Sequence, residues 1–295
     1  NGLKYVTLAP TNKAARQIGN KAITIHKFLA KSFNNIKTLT NKIEHIDYFI
    51  VDEISMVKEI FYKVFSTIKT LKPSIQFIMA GDIRQIPPPC DRIEFDYKDA
   101  LVFHELCSSN RIELTKCRRS DKDIFNLSLD VDHIDLSKIP QKVYSTSISY
   151  TNHTRREVNT RFMAEYSKKA KSCKEVKKLS WDKQSQDMKI YPGLPLIARM
   201  NALKLDIANN EMFKVESLTD DEVVLIGESN KKLTIHLEQI PRLFYPAYCI
   251  TIHRCQGSSI NTNGTILEWN LLDTRLKYTA LTRFTKLEYL NIIRK

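Results

Sequence analysis

Two adjacent carboxylates, Asp52 and Glu53, follow the apolar run Phe49-Ile50-Val51. At the end of a buried strand such a pair can do phosphate chemistry. One carboxylate holds Mg²⁺ through its water shell, and its neighbour orients and deprotonates a water that attacks a γ-phosphate. Asp52 takes the metal role in this reading and Glu53 the base role; the same pair would serve equally as an ordinary helix cap. A second apolar run, Ile75 to Ala80, ends in Gly81-Asp82-Ile83-Arg84-Gln85-Ile86-Pro87-Pro88. Gln85 can hydrogen-bond both a γ-phosphate and the attacking water without adding charge, and the prolines restrict the backbone that carries it. Taken alone, that segment reads as a loop.

The elements that would position these residues follow an alternating rhythm. Apolar β-rich runs at Tyr5 to Ala9, Tyr48 to Val51 and Ile75 to Ala80 alternate with helical patterns at Thr11 to Lys21 and Ile54 to Leu71. Such alternation predicts a parallel sheet flanked by helices, with ligands at the carboxyl ends of its strands. The rhythm resumes with Val143 to Tyr150, a basic helix from His153 to Lys171, and closing elements at Ile266 to Leu267, Arg275 to Thr282 and Tyr289 to Ile293, so a second α/β domain is expected. Between them, Phe213 to Leu218, Glu222 to Ile226 and Lys232 to Leu237 read as short strands joined by turns, a small β-barrel inserted in the second domain. The basic residues of the long helix, Arg155, Arg156, Arg161, Lys168 and Lys169, read as a solvated face.

The 295 residues are enough for two domains, and 42% of them are hydrophobic. A formal charge of +13 implies an acidic partner, since a positive surface concentrates polyanions and releases their counterions. Nucleic acid leads and a membrane surface comes second, but no amphipathic anchor supports the latter. Cys90, Cys107, Cys117, Cys173, Cys249 and Cys255 form no C-x-x-C pair and no recurrent spacing with histidine, so neither zinc nor a disulfide framework is indicated. With no membrane span and no signal-peptide pattern, an intracellular setting is expected: nucleus, nucleoid or a viral replication site.

Taken in order, these segments resemble the motifs of superfamily 1B helicases of the Pif-one/RecD type, and the resemblance runs across nearly the whole chain. Leu8-Ala9-Pro10-Thr11-Asn12-Lys13-Ala14-Ala15 is similar to motif Ia, Thr24-Ile25-His26 to Ib, Val51-Asp52-Glu53 to II, and Gly81 to Pro88 to III. Leu114 to Arg119 is similar to motif IV, Ala247 to Ile260 to V, and Tyr278-Thr279-Ala280-Leu281-Thr282-Arg283 to VI. The resemblance implies two RecA-like domains of the P-loop NTPase type, 1–112 and 113–295, that bind ATP and Mg²⁺ between them. It also implies an SH3-like module at about 205–241 and a strand-separating pin within 30–44, where no diagnostic residue stands. Asn210 replaces a glycine in the turn entering the module; asparagine tolerates positive φ.

Roles carried over on that resemblance are as follows. Glu53, Gln85, Arg119 and Arg283 are the candidate catalytic residues, with the arginines stabilising charge on the transferred phosphate. Arg118 rivals Arg119, because this doublet departs from the family's aromatic-Arg-Gln and Ser120 stands in place of the glutamine. Asp52, Glu53, Gln85, Arg119, Gln256, Gly257 and Arg283 are candidates for holding the nucleotide. Pro10, Thr11, Lys13, His26, Thr251, His253 and Ser258 are candidates for sequence-blind contacts with single-stranded DNA. Outside their motifs, either histidine would read as an ordinary structural residue and either arginine as a surface charge.

A motor of this class needs a glycine-rich loop ending in Gly-Lys-Ser/Thr. None of the seven glycines, Gly2, Gly19, Gly81, Gly193, Gly227, Gly257 and Gly264, is followed by lysine and a hydroxyl residue. The expectation is a helicase motor whose loop lies upstream of Asn1, with further domains possible there; by itself this stretch would then be inactive. The expected partners are single-stranded DNA and duplex junctions, 5'-to-3' movement is implied by the resemblance, and the process is replication, repair or recombination. The alternatives are a non-hydrolysing nucleic-acid-binding module and an RNA-directed helicase, since backbone contacts discriminate sugars only through the 2'-OH.

Overall fold

The computed structural model describes residues 2–19, 21–30, 32–33, 35–88, 91 and 100–295, with Ser229 described by its backbone alone. The chain divides into two compact units, Asn1–Lys116 and Cys117–Lys295.

The first unit carries β1 (Tyr5–Ala9), α1 (Asn12–Ile18), β2 (Ile23–Thr24), α2 (Ile25–Leu29), α3 (Ile36–Ile43), β3 (Tyr48–Val51), α4 (Glu59–Leu71), β4 (Gln76–Met79) and α5 (Leu101–Leu106). Its four strands are parallel in the order β2-β1-β3-β4. Alternation along the strands sends Leu8, Phe49, Val51 and Phe77 to one face, where they meet Leu39 and Ile43 of α3 and Phe61, Phe65 and Ile68 of α4. The segment 30–44, expected as a pin, thus gives α3 to this core; Lys31 and Asn34 lie outside the described residues.

The helix expected from Ile54 to Leu71 is broken. A single 3₁₀ turn covers Ile54–Met56, Val57 is extended, and α4 starts at Glu59. Packing overrides the helical pattern here: Val57 is turned into the core, and the Tyr62 hydroxyl donates to the Ile54 carbonyl at 2.6 Å. Asp91 caps the new helix start by accepting from Glu59 N at 3.0 Å.

The second unit contains α6 (Lys122–Leu129), β5 (Ser147–Ser149), α7 (Asn152–Ser167), β6 (Lys174–Val176), β7 (Met188–Ile190), β8 (Pro195–Ala198), β9 (Met212–Leu218), β10 (Glu222–Gly227) and β11 (Lys232–His236). It continues with α8 (Ile240–Leu243), β12 (Phe244–Pro246), β13 (Cys249–Thr251), α9 (Ile252–Cys255), β14 (Gly264–Ile266), α10 (Thr274–Leu281) and β15 (Leu290–Ile292). A parallel sheet in the order β13-β5-β14-β15 holds the motif-bearing segments. The strand expected over Val143 to Tyr150 is only three residues long, because pairing with β13 and β14 is confined to Ser147–Ser149.

Two antiparallel sheets complete the unit: the pair β6-β7 and a five-stranded sheet, β11-β10-β9-β8-β12. The three strands read between Phe213 and Leu237 are its β9, β10 and β11. The sheet reaches beyond the 205–241 boundary to Pro195 and Pro246, since β8 and β12 pair with each other on the far side of β9. Its inward residues Leu196, Phe213, Val215, Val223, Leu225 and Ile235 join Phe162 and Met163 of α7 in one core.

The basic helix is not the solvated face its composition suggests. α7 ends at Ser167, and while Arg161, Lys168 and Lys169 are exposed, Arg155 is only 1% exposed and Asn159 is fully buried. Asn159 bridges α7 to β13 by donating to Cys249 O at 2.8 Å and accepting from Cys249 N at 3.0 Å. Among the described residues, no helix is long and apolar enough to cross a membrane.

Candidate nucleotide and nucleic-acid sites

Because the strands of the first sheet are parallel, the segments leaving β1, β3 and β4 share one edge. The ladder runs on past the strand ends: Asp52 N donates to Leu8 O at 3.0 Å, Ala80 N to Val51 O at 2.8 Å, and Ile54 N to Ala80 O at 3.0 Å. Asp52 and Glu53 are both half-buried there. Glu53 adopts the left-handed conformation, φ 52° and ψ 48°, which is strained for a residue with a Cβ. Gly81 explains how the β3 and β4 loops pack so closely. A Cβ on Gly81 would lie 2.6 Å from Ile54 N and 2.7 Å from Ile54 Cγ1, so only glycine lets the second loop lie against the carboxylate turn.

Beyond Gly81 the chain folds into a turn. Arg84 N and Nε both donate to Asp82 Oδ1, at 3.1 and 3.2 Å, and Gln85 N donates to Asp82 O at 3.1 Å. This turn brings Gln85 to 8% exposure, with its Oε1 buried and unbonded. Ser55 Oγ, two residues past Glu53, is likewise buried and unbonded; the motif reading passed over this hydroxyl. Buried polar atoms without partners are uncommon and mark places where a water or ligand group belongs. Two of them in the loops leaving β3 and β4, with a carboxylate pair at the same edge, suit a hydrated Mg²⁺-phosphate group: Asp52 could hold the metal's water shell and Gln85 face a phosphate oxygen.

On the β1 side, Thr11 Oγ1 caps α1 by accepting from Ala14 N at 3.1 Å, Pro10 is half-buried, and Lys13 is buried. Thr24 caps α2 in the same way, accepting from Lys27 N at 3.1 Å. His26 is exposed in the first turn of α2, with its ring edge-on to Phe61 at 4.7 Å; Phe61 in turn meets the exposed Phe33 at 6.3 Å. Phe33 and Phe61 stand outside every motif, so spacing gave no signal for them.

In the second unit, α9 follows β13 directly. Thr251 is buried at its start and His253 is exposed. Protein around the imidazole lowers the His253 pKa by desolvation, against the opposing charge of Asp273. Gln256 is buried, and Gly257 takes φ 71°, a value open to glycine. Ser258 N closes the turn on Cys255 O at 2.9 Å.

The segments similar to motifs V and VI are joined by backbone: Ile260 N donates to Arg283 O at 2.7 Å and Thr285 N to Ile260 O at 3.1 Å. Arg283 is 1% exposed. Its guanidinium donates to Thr279 O at 3.0 Å, Thr282 Oγ1 at 3.2 Å and Ser258 O at 3.5 Å. Arg118 and Arg119 are both exposed. Two residues on, Asp121 N donates to Thr285 O at 2.8 Å and Asp121 Oδ2 accepts from Leu287 N at 3.0 Å. The segments carrying Arg119 and Arg283 are therefore pinned side by side, although one arginine is at the surface and the other folded against its own helix.

A family profile for an AAA domain matches residues 2–91. Compared by sequence, no curated protein matches the chain. Among solved structures, one described as DNA unwinding at forked dsDNA by two coordinating Pif1 helicases is 18% identical with a TM-score of 0.71. Pif1 helicase from Bacteroides in complex with ADP-AlF3 and ssDNA is 18% identical with a TM-score of 0.68, and Pif1 helicase from Candida albicans is 18% identical with a TM-score of 0.66. Each covers 99% of this chain, which spans 82%, 83% and 85% of them in turn. At that identity the likeness is one of fold, and it takes in both units. The chain thus has the fold of the Pif1 helicases.

Proposed function

We propose that the chain is the motor portion of an ATP-dependent DNA helicase that moves 5'-to-3' on single-stranded DNA and unwinds duplex in replication, repair or recombination. The observation that carries the proposal is the edge of the first sheet, where the strained Glu53 turn lies against Gly81 and Gln85 keeps a buried oxygen unbonded. The Bacteroides structure with ADP-AlF3 and ssDNA shares the fold, which makes nucleotide and single-stranded DNA the pair of ligands to test.

ATP with Mg²⁺ supplies the scissile phosphoanhydride and the counter-charge for it. Asp52 would hold the metal's water shell, Glu53 would accept a proton from the attacking water, and Gln85 would orient that water by hydrogen bonding. Arg119, already at the surface, and Arg283, once released from Ser258 and Thr282, neutralise charge on the transferred phosphate. Gln256 and Gly257 belong to the nucleotide side, and Pro10, Thr11, Lys13, His26, Thr251, His253 and Ser258 to the DNA side. No Gly-Lys-Ser/Thr sequence occurs in the chain, so turnover is to be measured on protein carrying a phosphate-cradling loop upstream.

The test is DNA-stimulated ATP hydrolysis by that protein, wild type against Glu53→Gln. Loss of a general base typically costs about 10²- to 10⁴-fold in rate, and single-stranded DNA binding should persist. Binding without turnover in either protein would replace this proposal with a non-hydrolysing nucleic-acid-binding module.

A further inference from the structure

Four segments of the second unit that are distant in sequence converge on Tyr245 of β12. The guanidinium of Arg155 from α7 lies 4.7 Å from the centre of its ring, that of Arg199 just past β8 at 4.9 Å, and that of Arg254 from α9 at 5.1 Å. Arg199 is also 5.2 Å from the ring of Trp181, so it sits between two aromatic rings. Among the described residues, the carboxylate bonded to this cluster is Asp182, which pairs with Arg199 at 2.7 Å and accepts from the Tyr245 hydroxyl at 2.8 Å. Arg254 donates to the neutral amide of Asn210 at 2.9 Å, and Arg155 donates to Asn152 Oδ1 at 3.1 Å and to the Gln184 carbonyl.

Among the described residues, three guanidiniums thus face one carboxylate, leaving two positive charges without a counter-charge in a largely buried setting. Arg155 Nη1 is itself buried and has no hydrogen-bond partner. Stacking on tyrosine offsets part of the cost of burying a cation, but it does not occupy a guanidinium N–H. Burial lowers the pKa of Arg155 to about 10 and also lowers that of Arg254, and in both cases a neighbouring arginine adds to the fall. The cluster is short of an anion. Guanidinium forks match phosphate oxygens, and an arginine stacked on an exposed tryptophan is the combination that holds a backbone phosphate and an unpaired base together. Trp181 is 68% exposed and available for that base.

We infer that Arg199 and Arg254 form a backbone phosphate site for single-stranded nucleic acid, with the buried Arg155 adding to their unmatched positive charge and Trp181 as the stacking platform for an adjacent base. Arg254 lies within the segment similar to motif V; Arg155, Arg199, Tyr245 and Trp181 lie outside all the motifs. The inference rests on the proposed function only for the identity of the polymer.

The second tryptophan, Trp269, is 4% exposed, so quenching of exposed tryptophan emission reports on Trp181. Oligo-dT added to the wild-type chain should quench that component, and Trp181→Phe should remove it. In a salt titration, Arg199→Gln should flatten the slope of log K against log [salt] by about 0.7, the share of one phosphate contact. Trp181→Ala should weaken binding about tenfold. Inorganic phosphate, added at matched ionic strength, separates the two sources of the anion. Phosphate that quenches as fully as oligo-dT would overturn the polymer in favour of a free-anion site. Oligo-dT that binds with Trp181 emission unchanged and the wild-type slope kept in Arg199→Gln would overturn this inference alone. Failure of the wild-type chain to bind oligo-dT at all would overturn both this and the DNA reading. The quenching arm needs no substitution, so it stands even if an arginine variant fails to fold.

Discussion

Glu53 and Glu268 occupy the same local position in the two units. Each stands two residues past the end of a parallel strand, each is left-handed (φ 52° and 60°), and each opens a 3₁₀ turn. Their surroundings give them different work. Glu268 is buried and accepts from Tyr150 N, Thr151 N, Thr151 Oγ1 and Thr154 Oγ1 at 2.8 to 2.9 Å, so it anchors the start of α7. Burial raises its pKa, but the four donors outweigh it and hold the carboxyl below its ordinary 4.5. A depressed folded pKa means the contribution is complete above the unfolded value and is lost as pH falls through the folded one. Glu268→Gln should therefore cost about 1–3 kcal/mol at neutral pH by denaturant unfolding, and the gap to wild type should narrow in acid. A gap independent of pH would assign the loss to packing instead. Beside Glu53, Gly81→Ala forces a Cβ into backbone at 2.6 Å; an overpacking cost of about 1–3 kcal/mol should appear as a lower melting temperature.

At the level of elements, the short connections do the positioning. Asp121 caps α6 by accepting from Ile124 N at 2.9 Å and, through its other oxygen, holds Leu287 N at 3.0 Å. One side chain thus ties the segment after Arg119 to the segment after Arg283. Asp121→Ala should lose about 1–2 kcal/mol as a cap and, in hydrogen exchange, loosen both segments together. If only α6 exchanges faster, the tie is carried by the Asp121 N to Thr285 O bond rather than by the carboxylate. α7 shows why basic composition misled. Arg155 is drawn inward by Tyr245 and by the Gln184 carbonyl, neither of which is visible in the periodicity of the helix itself.

For the molecule as a whole, two units with separate cores are joined through residues 110–117, which form neither helix nor strand; residues 108–119 are exposed. This stretch contains Arg111, Lys116, Arg118 and Arg119, all sites for trypsin. Limited trypsin digestion should cut there first and yield two resistant fragments by mass spectrometry, because exposed connecting segments are the preferred sites of proteolytic nicking. Early cuts inside α4 or β9 would contradict the division into two cores. Cleavage at Arg119 would also separate that candidate catalytic residue from the fragment that holds Arg283.

The sequence by itself determined the parallel sheets, the carboxylate pair at a strand end and three of the five strands of the antiparallel sheet, β9, β10 and β11. These follow from local periodicity, turn chemistry and spacing, which act within a few residues. Tertiary structure decided the rest. The break at Val57, the unbonded oxygens of Ser55 and Gln85, the inward turn of Arg155 and the convergence of three arginines on Tyr245 all depend on contacts between residues distant in the chain. Burial decides them: it fixes which polar atoms find a partner and which charges stay unmatched, and no residue type or spacing carries that information.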